Sequence, residues 1–402
     1  MEVESCKARQ NGLADGPETA KPLSEDGKRA WLRLIRTPQI GSVTFWQLLA
    51  HFGSAEAALS ALPEFAQHGG RIAARSIPVA AAIDKELEKA ASAGMTLVAA
   101  GEAGYPPLLA QVEVPPPLIY IKGEPSLWTR PPLAIVGARN ASAAGLKFAG
   151  EIAAALGGRG FVIVSGLARG IDAAAHRGAL SAGTCAVLPG GLDTIYPPEH
   201  AGLAAEIAQD GLLISECPPG FVARSQDFPR RNRIVSGASL GVVVVEAAER
   251  SGSLITARLA GEQNREVFAV PGHPLEPRAA GTNKLIKQGA IFTTGPDDIL
   301  EALEPVLTRW ECAAGRNAGT RGAEVPAKPK RSDANGKTPE SFGLVGADTK
   351  EILKLLSLSP IDIDELCRLS GLEARQVSAA LLALDLSGQL ERRGARHVAL
   401  RP

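Results

Sequence analysis

The sequence predicts a doubly wound, mostly parallel α/β domain, preceded by an all-α domain and followed by a winged helix. Three observations lead there. Between residues 133 and 305, apolar runs of strand length alternate with Ala-rich helical stretches. Those runs are almost continuous Val, Ile and Leu, the signature of strands buried on both faces and hence of a parallel sheet. On either side the apolar period changes to that of helices.

Each element follows in order. Residues 1–24 are polar and read as a disordered leader without the apolar core of a signal peptide. Residues 25–100 have helical periodicity: Trp31, Leu32, Leu34 and Ile35 open it, and Phe45, Trp46, Leu48, Leu49 and Phe52 continue it. Between them lies Thr37-Pro38-Gln39-Ile40-Gly41, a tight turn. Helix, turn and helix make the plan of a SAM or helix-hairpin-helix unit, which binds a DNA backbone through turn N–H groups, and equally the plan of an ordinary packed α-hairpin. Residues 101–132 are rich in Pro and Gly and form an ordered connector, with a strand suggested at Leu118-Ile119-Tyr120-Ile121. The α/β domain, 133–305, has predicted strands at Leu133–Val136, Phe161–Val164, Cys185–Leu188, Leu212–Ser215, Val242–Glu246, Val267–Val270 and Ala290–Thr293. Residues 306–346 lack large apolar groups over most of their length and read as a flexible linker. From 347 to 402, three helical segments centred on Ile352–Leu356, Ile363–Leu369 and Val377–Leu384 precede two short strand-like pieces, the plan of a winged helix.

Composition narrows the classes. A chain of 402 residues holds two or three domains. Lys plus Arg equals Asp plus Glu at 43 each, which argues against a tail-driven nucleic-acid binder but leaves room for a local basic groove. Cys6, Cys185, Cys217, Cys312 and Cys367 are odd in number, scattered and without C-x-x-C spacing. They form neither a disulfide framework nor a zinc site, and a reducing cytoplasm is expected. No apolar run reaches the ~18 residues of a membrane span.

In a doubly wound sheet, ligands bind beyond the carboxyl ends of the strands. The first such loop is Gly137-Ala138-Arg139-Asn140-Ala141-Ser142. Its glycine lets a ligand approach, its free N–H groups suit phosphate, and Ser142 can cap the next helix. It is not G-x-G-x-x-G, and no acidic residue ends the second strand to hold a ribose, so a nicotinamide cofactor is not expected. The second loop, Ser165-Gly166-Leu167-Ala168-Arg169-Gly170-Ile171-Asp172, repeats the phosphate signal, with Arg169 as its ligand contact. Asp172 and His176, spaced i, i+4, read better as a local hydrogen bond orienting the turn than as an acid–base pair. Pro189-Gly190-Gly191-Leu192-Asp193 is a third close-approach turn. A fourth, around Ser251-Gly252-Ser253, opens a helix after Glu246. The strand at 212–215 leads through Arg224 to Phe228-Pro229-Arg230-Arg231-Asn232-Arg233, where three arginines crowd six residues of a chain with no net charge. Arginine forks match phosphate oxygens. Phe228 is either a base platform or a core residue that fixes the helix. Several small-residue turns and an arginine cluster on one rim suit a run of phosphates better than one nucleotide.

These residues resemble the DprA/Smf family of DNA-processing proteins. The resemblance rests on Val-Gly-Ala-Arg (136–139), Ser-Gly-Leu-Ala-Arg-Gly-Ile-Asp (165–172) with His176, Leu-Pro-Gly-Gly-Leu-Asp (188–193), Phe-Pro-Arg-Arg-Asn-Arg (228–233), Glu-Ala (246–247) with Ser-Gly-Ser-Leu-Ile-Thr-Ala (251–257), and Gly-Thr-Asn (281–283). It implies an extended Rossmann fold that dimerises, binds single-stranded DNA and passes it to the RecA recombinase in natural transformation, with no cofactor, no metal and no catalytic residues. It further implies a relation to single-strand-binding protein, whose block on the strand the family relieves. It puts Arg139, Arg230, Arg231 and Arg233 in the DNA pocket, with Phe228 stacking on a base. Together with the loop readings, the expected DNA-binding set is Gly137, Arg139, Ser142, Gly166, Arg169, Arg224, Phe228, Arg230, Arg231, Asn232, Arg233 and Ser253. Where some relatives have a lysine after the third-loop Tyr-Pro, this chain has Pro198, with Arg224 or Arg169 to compensate. The implied dimer surface runs from Asn283 to Phe292, with Leu285, Ile286 and Ile291 as its apolar members.

Two questions stay open at this level. The same scaffold serves nucleotide-processing hydrolases of the lysine-decarboxylase-like type, but their P-G-G-x-G-T-x-x-E is not matched after Pro189-Gly190-Gly191. The winged helix, with Arg375, Arg392, Arg393 and Arg396, suits either a grip on duplex DNA or docking to a protein.

Overall fold

The structure, a computed structural model, describes residues 23–67, 77–317, 347–393 and 396–401. The leader lies almost wholly outside the described residues, as does residue range 318–346 of the predicted linker. The remainder of that linker, 306–317, is helical.

The N-terminal unit holds α1 (Glu25–Ile35), α2 (Ser42–Phe52), α3 (Ala55–Gln67) and α4 (Ala80–Ser92). Ser24 starts α1 by accepting the Gly27 N–H at 3.1 Å, with Glu25 and Asp26 in the first turn to complement the helix dipole. The α1–α2 pair closes around Trp31, Phe45 and Trp46, three rings meeting edge to face at 5.0–5.4 Å. In the turn, Gln39 rather than Gly41 takes the left-handed conformation, at φ 70°. The start of α2 faces the sheet domain: Ser42 Oγ accepts from Arg233 at 3.4 Å and Trp46 Nε1–H donates to Pro115 O at 2.8 Å. The second helix of this hairpin is thus packed on the sheet domain, while Pro38, Gln39 and Gly41 of the turn itself are exposed.

The sheet has nine strands in the order β1-β2-β6-β5-β4-β3-β7-β8-β9. The parallel part comprises β3 (Pro132–Val136), β4 (Val162–Ser165), β5 (Thr184–Val187), β6 (Leu212–Ser215), β7 (Gly241–Val244), β8 (Glu266–Ala269) and β9 (Ile291–Phe292), each on one of the expected runs. β2 (Leu118–Gly123) is the strand suggested in the connector, antiparallel to β6. β1 (Thr96–Ala99) differs from the helical expectation for 25–100. Gly94, at φ 68°, ends α4, and the four residues that follow Met95 pair antiparallel with β2.

Helices α5 (Ala143–Gly158), α6 (Ile171–Ala179), α7 (Ala201–Asp210), α8 (Asp227–Gly237), α9 (Gly252–Glu262), α10 (Ala280–Lys287) and α11 (Pro296–Asn317) complete the domain. One apolar layer joins Val136, Val164, Val187, Val244 and Ile234. The other joins Leu133, Ile135, Ile163, Val243, Phe268 and Leu303. The chain leaves β3 for β4 on one side, while β7 lies on the other, so the topological switch point falls between β3 and β7.

The C-terminal unit is α12 (Ala347–Leu355), β10 (Ile361–Asp362), α13 (Ile363–Ser370), α14 (Ala374–Leu386), β11 (Leu390–Arg393) and β12 (His397–Leu400), with a three-stranded sheet β10-β12-β11. This is a winged helix, and α14 lies against α2.

Among the described residues no helix is long and apolar enough to cross a membrane, and no three His, Cys, Asp or Glu side chains come together to hold a metal ion.

Candidate nucleic-acid interface

The loop after β3 is shaped by packing before it meets any ligand. A Cβ on Gly137 would lie 2.6 Å from Ile171 Cγ1, so this glycine admits α6, not a ligand. Ser142 caps α5, accepting the Gly145 N–H at 3.0 Å. Its own N–H and hydroxyl both go to the Glu246 carboxylate, at 2.9 and 2.5 Å. Arg139 is exposed, with its guanidinium carbon 4.9 Å from the centroid of Phe228, a cation–π contact.

The loop after β4 seats a buried arginine. A Cβ on Gly166 would collide with the Arg231 guanidinium, so the glycine makes room for that side chain. Arg231 is 6% exposed, and its Nε has no hydrogen-bond partner among the described residues. Burial lowers its pKa to about 10, opposed by the nearby Asp172 charge and assisted by Arg139. It therefore keeps its charge at neutral pH. Asp172 accepts the N–H groups of Gly166 and Ala168 at 3.1 and 3.3 Å. Burial raises its pKa, while Arg231 and those N–H groups pull it down. Leu167, buried and left-handed at φ 57°, is pinned by the His200 Nδ1–H to its carbonyl at 2.9 Å. The turn-orienting reading of Asp172 thus holds, but His176 does not join it. His176 Nδ1 bonds Thr184 Oγ1 at 2.8 Å, and Thr184 donates onward to Ile163 O.

These parts line a groove of about 880 Å³ across the β3–β7 switch point. Arg139 and Asn140 form one side; Phe228, Arg231 and Asn232 of α8 form the next. The N-terminus of α9, Ser251–Gly252–Ser253, closes it with Arg250 and Arg278. Its only lining carboxylate among the described residues is Asp172. A second hollow of about 300 Å³ adjoins it, shared through Arg139, Tyr196 and Phe228 and extended by Gly166 and Arg169. Tyr196 meets Phe228 edge to face at 5.6 Å and is 47% exposed.

Known sequences and structures decide the family. Residues 96–304 match the family described as DNA recombination-mediator protein A. Residues 25–89 match the DprA-like N-terminal HHH domain, and 336–396 the DprA winged helix domain. Protein Smf of Escherichia coli (strain K12) is 40% identical over 308 residues, 76% of this chain and 77% of its own length. The chain belongs to the DprA/Smf family of DNA-processing proteins. Protein Smf of Synechocystis is 34% identical over 379 residues, covering 89% of this chain and 95% of that relative. The X-ray structure of DNA processing protein A (DprA) from Streptococcus pneumoniae superposes with a TM-score of 0.60 at 32% identity, over 70% of this chain and 98% of that one.

Within this DprA/Smf member, the expected site residues divide. Gly137, Arg139, Phe228, Arg231, Asn232 and Ser253 line the larger groove, and Gly166 and Arg169 the smaller hollow. Arg169 is ion-paired with Glu199. Four lie outside. Ser142 is taken up by capping and by Glu246. Arg224 is exposed beyond the lining and gives its backbone N–H to Asp227 Oδ2 at 2.8 Å. Arg230 is exposed on the outer side of α8. Arg233 is turned the other way, ion-paired with Glu216 and donating to Val114 O at 3.2 Å, because two helical steps rotate it about 200° from Arg231.

Of the expected dimer residues, Asn283 is engaged internally, clamping Gly272 N and O at 3.2 and 3.0 Å. Leu285 and Ile291 pack inward, Ile286 is half-buried, and the exposed apolar side chain there is Phe292. Sequence reading missed Asn140, Tyr196, Arg250 and Arg278. Tyr196 sits in the third loop beyond its glycines. Arg250 directly precedes the small-residue turn Ser251–Gly252–Ser253, whose phosphate signal lies in its backbone, and Arg278 is on the loop after β8, which carries no glycine-rich phosphate signal.

Proposed function

We propose that this chain binds single-stranded DNA in the groove between β3 and β7 and delivers it to RecA, as a homodimer and without turning it over. The observation that carries this reading is the lining: Arg139, Arg231, Arg250 and Arg278 converge beside two aromatic rings, in a chain with no net charge. Cations track phosphates, and exposed rings accept bases of any sequence. Tyr196 is the base platform, since Arg139 already covers Phe228. Phe228 supports both.

A hydrolase has less to work with. The Glu246 carboxylate is committed to Ser142, Asp172 holds loop N–H groups, and His176 points to Thr184.

Affinity for an oligothymidine, measured at two salt concentrations in wild type and Arg139→Ala, tests the reading. The variant is expected to bind about tenfold more weakly, with a salt slope smaller by about one. Equal affinity and slope in the two proteins would remove Arg139 from the site.

A further inference from the structure

The third helix of a winged helix is the element that enters the major groove, and base edges are read there by polar side chains. In this chain that helix, α14, is apolar on two sides. Val377, Ala380, Leu381 and Leu384 face the winged helix's own core. Leu382 and Leu386, 1% and 2% exposed, join the core of the helical domain that includes Phe45 and Leu48. Polar contacts seal the second side. Asp385 Oδ2 accepts from Thr44 Oγ1 at 3.0 Å and from Arg392 Nε at 3.2 Å, and Arg392 also donates to Gln47 Oε1 at 2.9 Å. Arg392, a wing residue suited by sequence to a phosphate, has a side chain only 10% exposed. Arg396 lies 3.9 Å from Glu113, and the side chain of Arg393 is outside the described residues. At the free end of α14, Gln376 bonds Asp348 and the Glu373 cap, and Arg375 is the exposed cation of that first turn.

We propose that α14 is a protein-docking helix whose partner is α2 of the same chain, so that the winged helix acts as a clasp on the helical domain and not as a duplex reader. The C-terminal half of α14, whose outward residues are Leu382 and Leu386, has no complement in a base edge, whereas it fits an aromatic-rich helix. Asp385 gives the contact its specificity, because it is satisfied jointly by a residue from each domain.

Hydrogen exchange across 42–52 and 374–386 in the full chain, with binding to a duplex of about 20 base pairs, tests this in wild type, Thr44→Asp and Leu386→Asp. Thr44→Asp sets a second carboxylate against Asp385 and leaves the winged-helix sequence untouched. It is expected to speed exchange in 374–386 about tenfold, and Leu386→Asp to do the same in 42–52. Duplex affinity should change less than about twofold in both. Unchanged exchange across the contact in Thr44→Asp would overturn the proposal. So would duplex binding weakened about tenfold by Leu386→Asp with 42–52 still protected. If Leu386→Asp also deprotects 347–355, the winged helix itself has opened, and Thr44→Asp alone decides.

Discussion

The arginines of α8 show how little a charge cluster says until each side chain is followed. Arg230 is open to solvent, Arg231 is buried over Gly166, and Arg233 fastens the sheet domain to the helical one. Arg233→Ala is expected to cost about 1–3 kcal/mol in a urea melt, because Glu216 loses its partner in a half-buried setting. The same variant should leave oligothymidine affinity unchanged under conditions where it is folded. Tyr196→Leu should do the reverse, weakening the strand by about 1–3 kcal/mol with no shift in the melt, since an exposed ring carries stacking and little core. The sequence announced the arginines through their density. It did not announce their directions, which depend on where α8 begins, nor Tyr196, which gains its meaning only from Phe228 across space.

At the scale of elements, the parallel strands were legible because continuous Val/Ile runs have few other uses. β1 was not, since four apolar residues beside a helix carry no period of their own. The loop after β4 was legible as a glycine turn but not as a seat for Arg231. Its order depends on buried groups, and one of them gives a pH signature to α6. His176 is neutral when folded, its pKa lowered from 6.5 to about 3, chiefly by burial and then by Arg231. Since its folded pKa lies below the unfolded one, its contribution is present above about pH 6.5 and is lost as pH falls toward 3. The expected loss is up to about 1.4 kcal/mol per pH unit from this group. Urea melts between pH 7 and pH 5 should show a shallower dependence in His176→Gln than in wild type. Parallel pH dependence in the two would show that His176 also gains its proton in the folded state.

For the molecule as a whole, the net charge of zero and the arginine-lined groove are compatible because charge is sorted by place. Among the described residues Arg139 and Arg250, which line the groove at the carboxyl rim, have no ion-pair partner. Elsewhere arginines are ion-paired within their own domain, Arg36 with Glu86, Arg233 with Glu216 and Arg392 with Asp385, and the same three donate across domain boundaries to Glu216 O, Ser42 Oγ and Gln47 Oε1. Those hydrogen bonds tie the helical domain to the sheet and to the winged helix, and the proposed strand path uses the rim. The family was legible from the loops alone. How its outer domains dock was not, because Leu382 and Leu386 read as ordinary core until a second core is seen beside them.

Photocrosslinking of an iodouracil-substituted oligothymidine to the full chain reads the path of the strand directly. Mass spectrometry should find the adduct on peptides containing Tyr196 or Phe228, and adduct yield should fall in Arg139→Ala. Adducts confined to residues 25–67 or 347–401, with none on the rim of the sheet, would contradict the account.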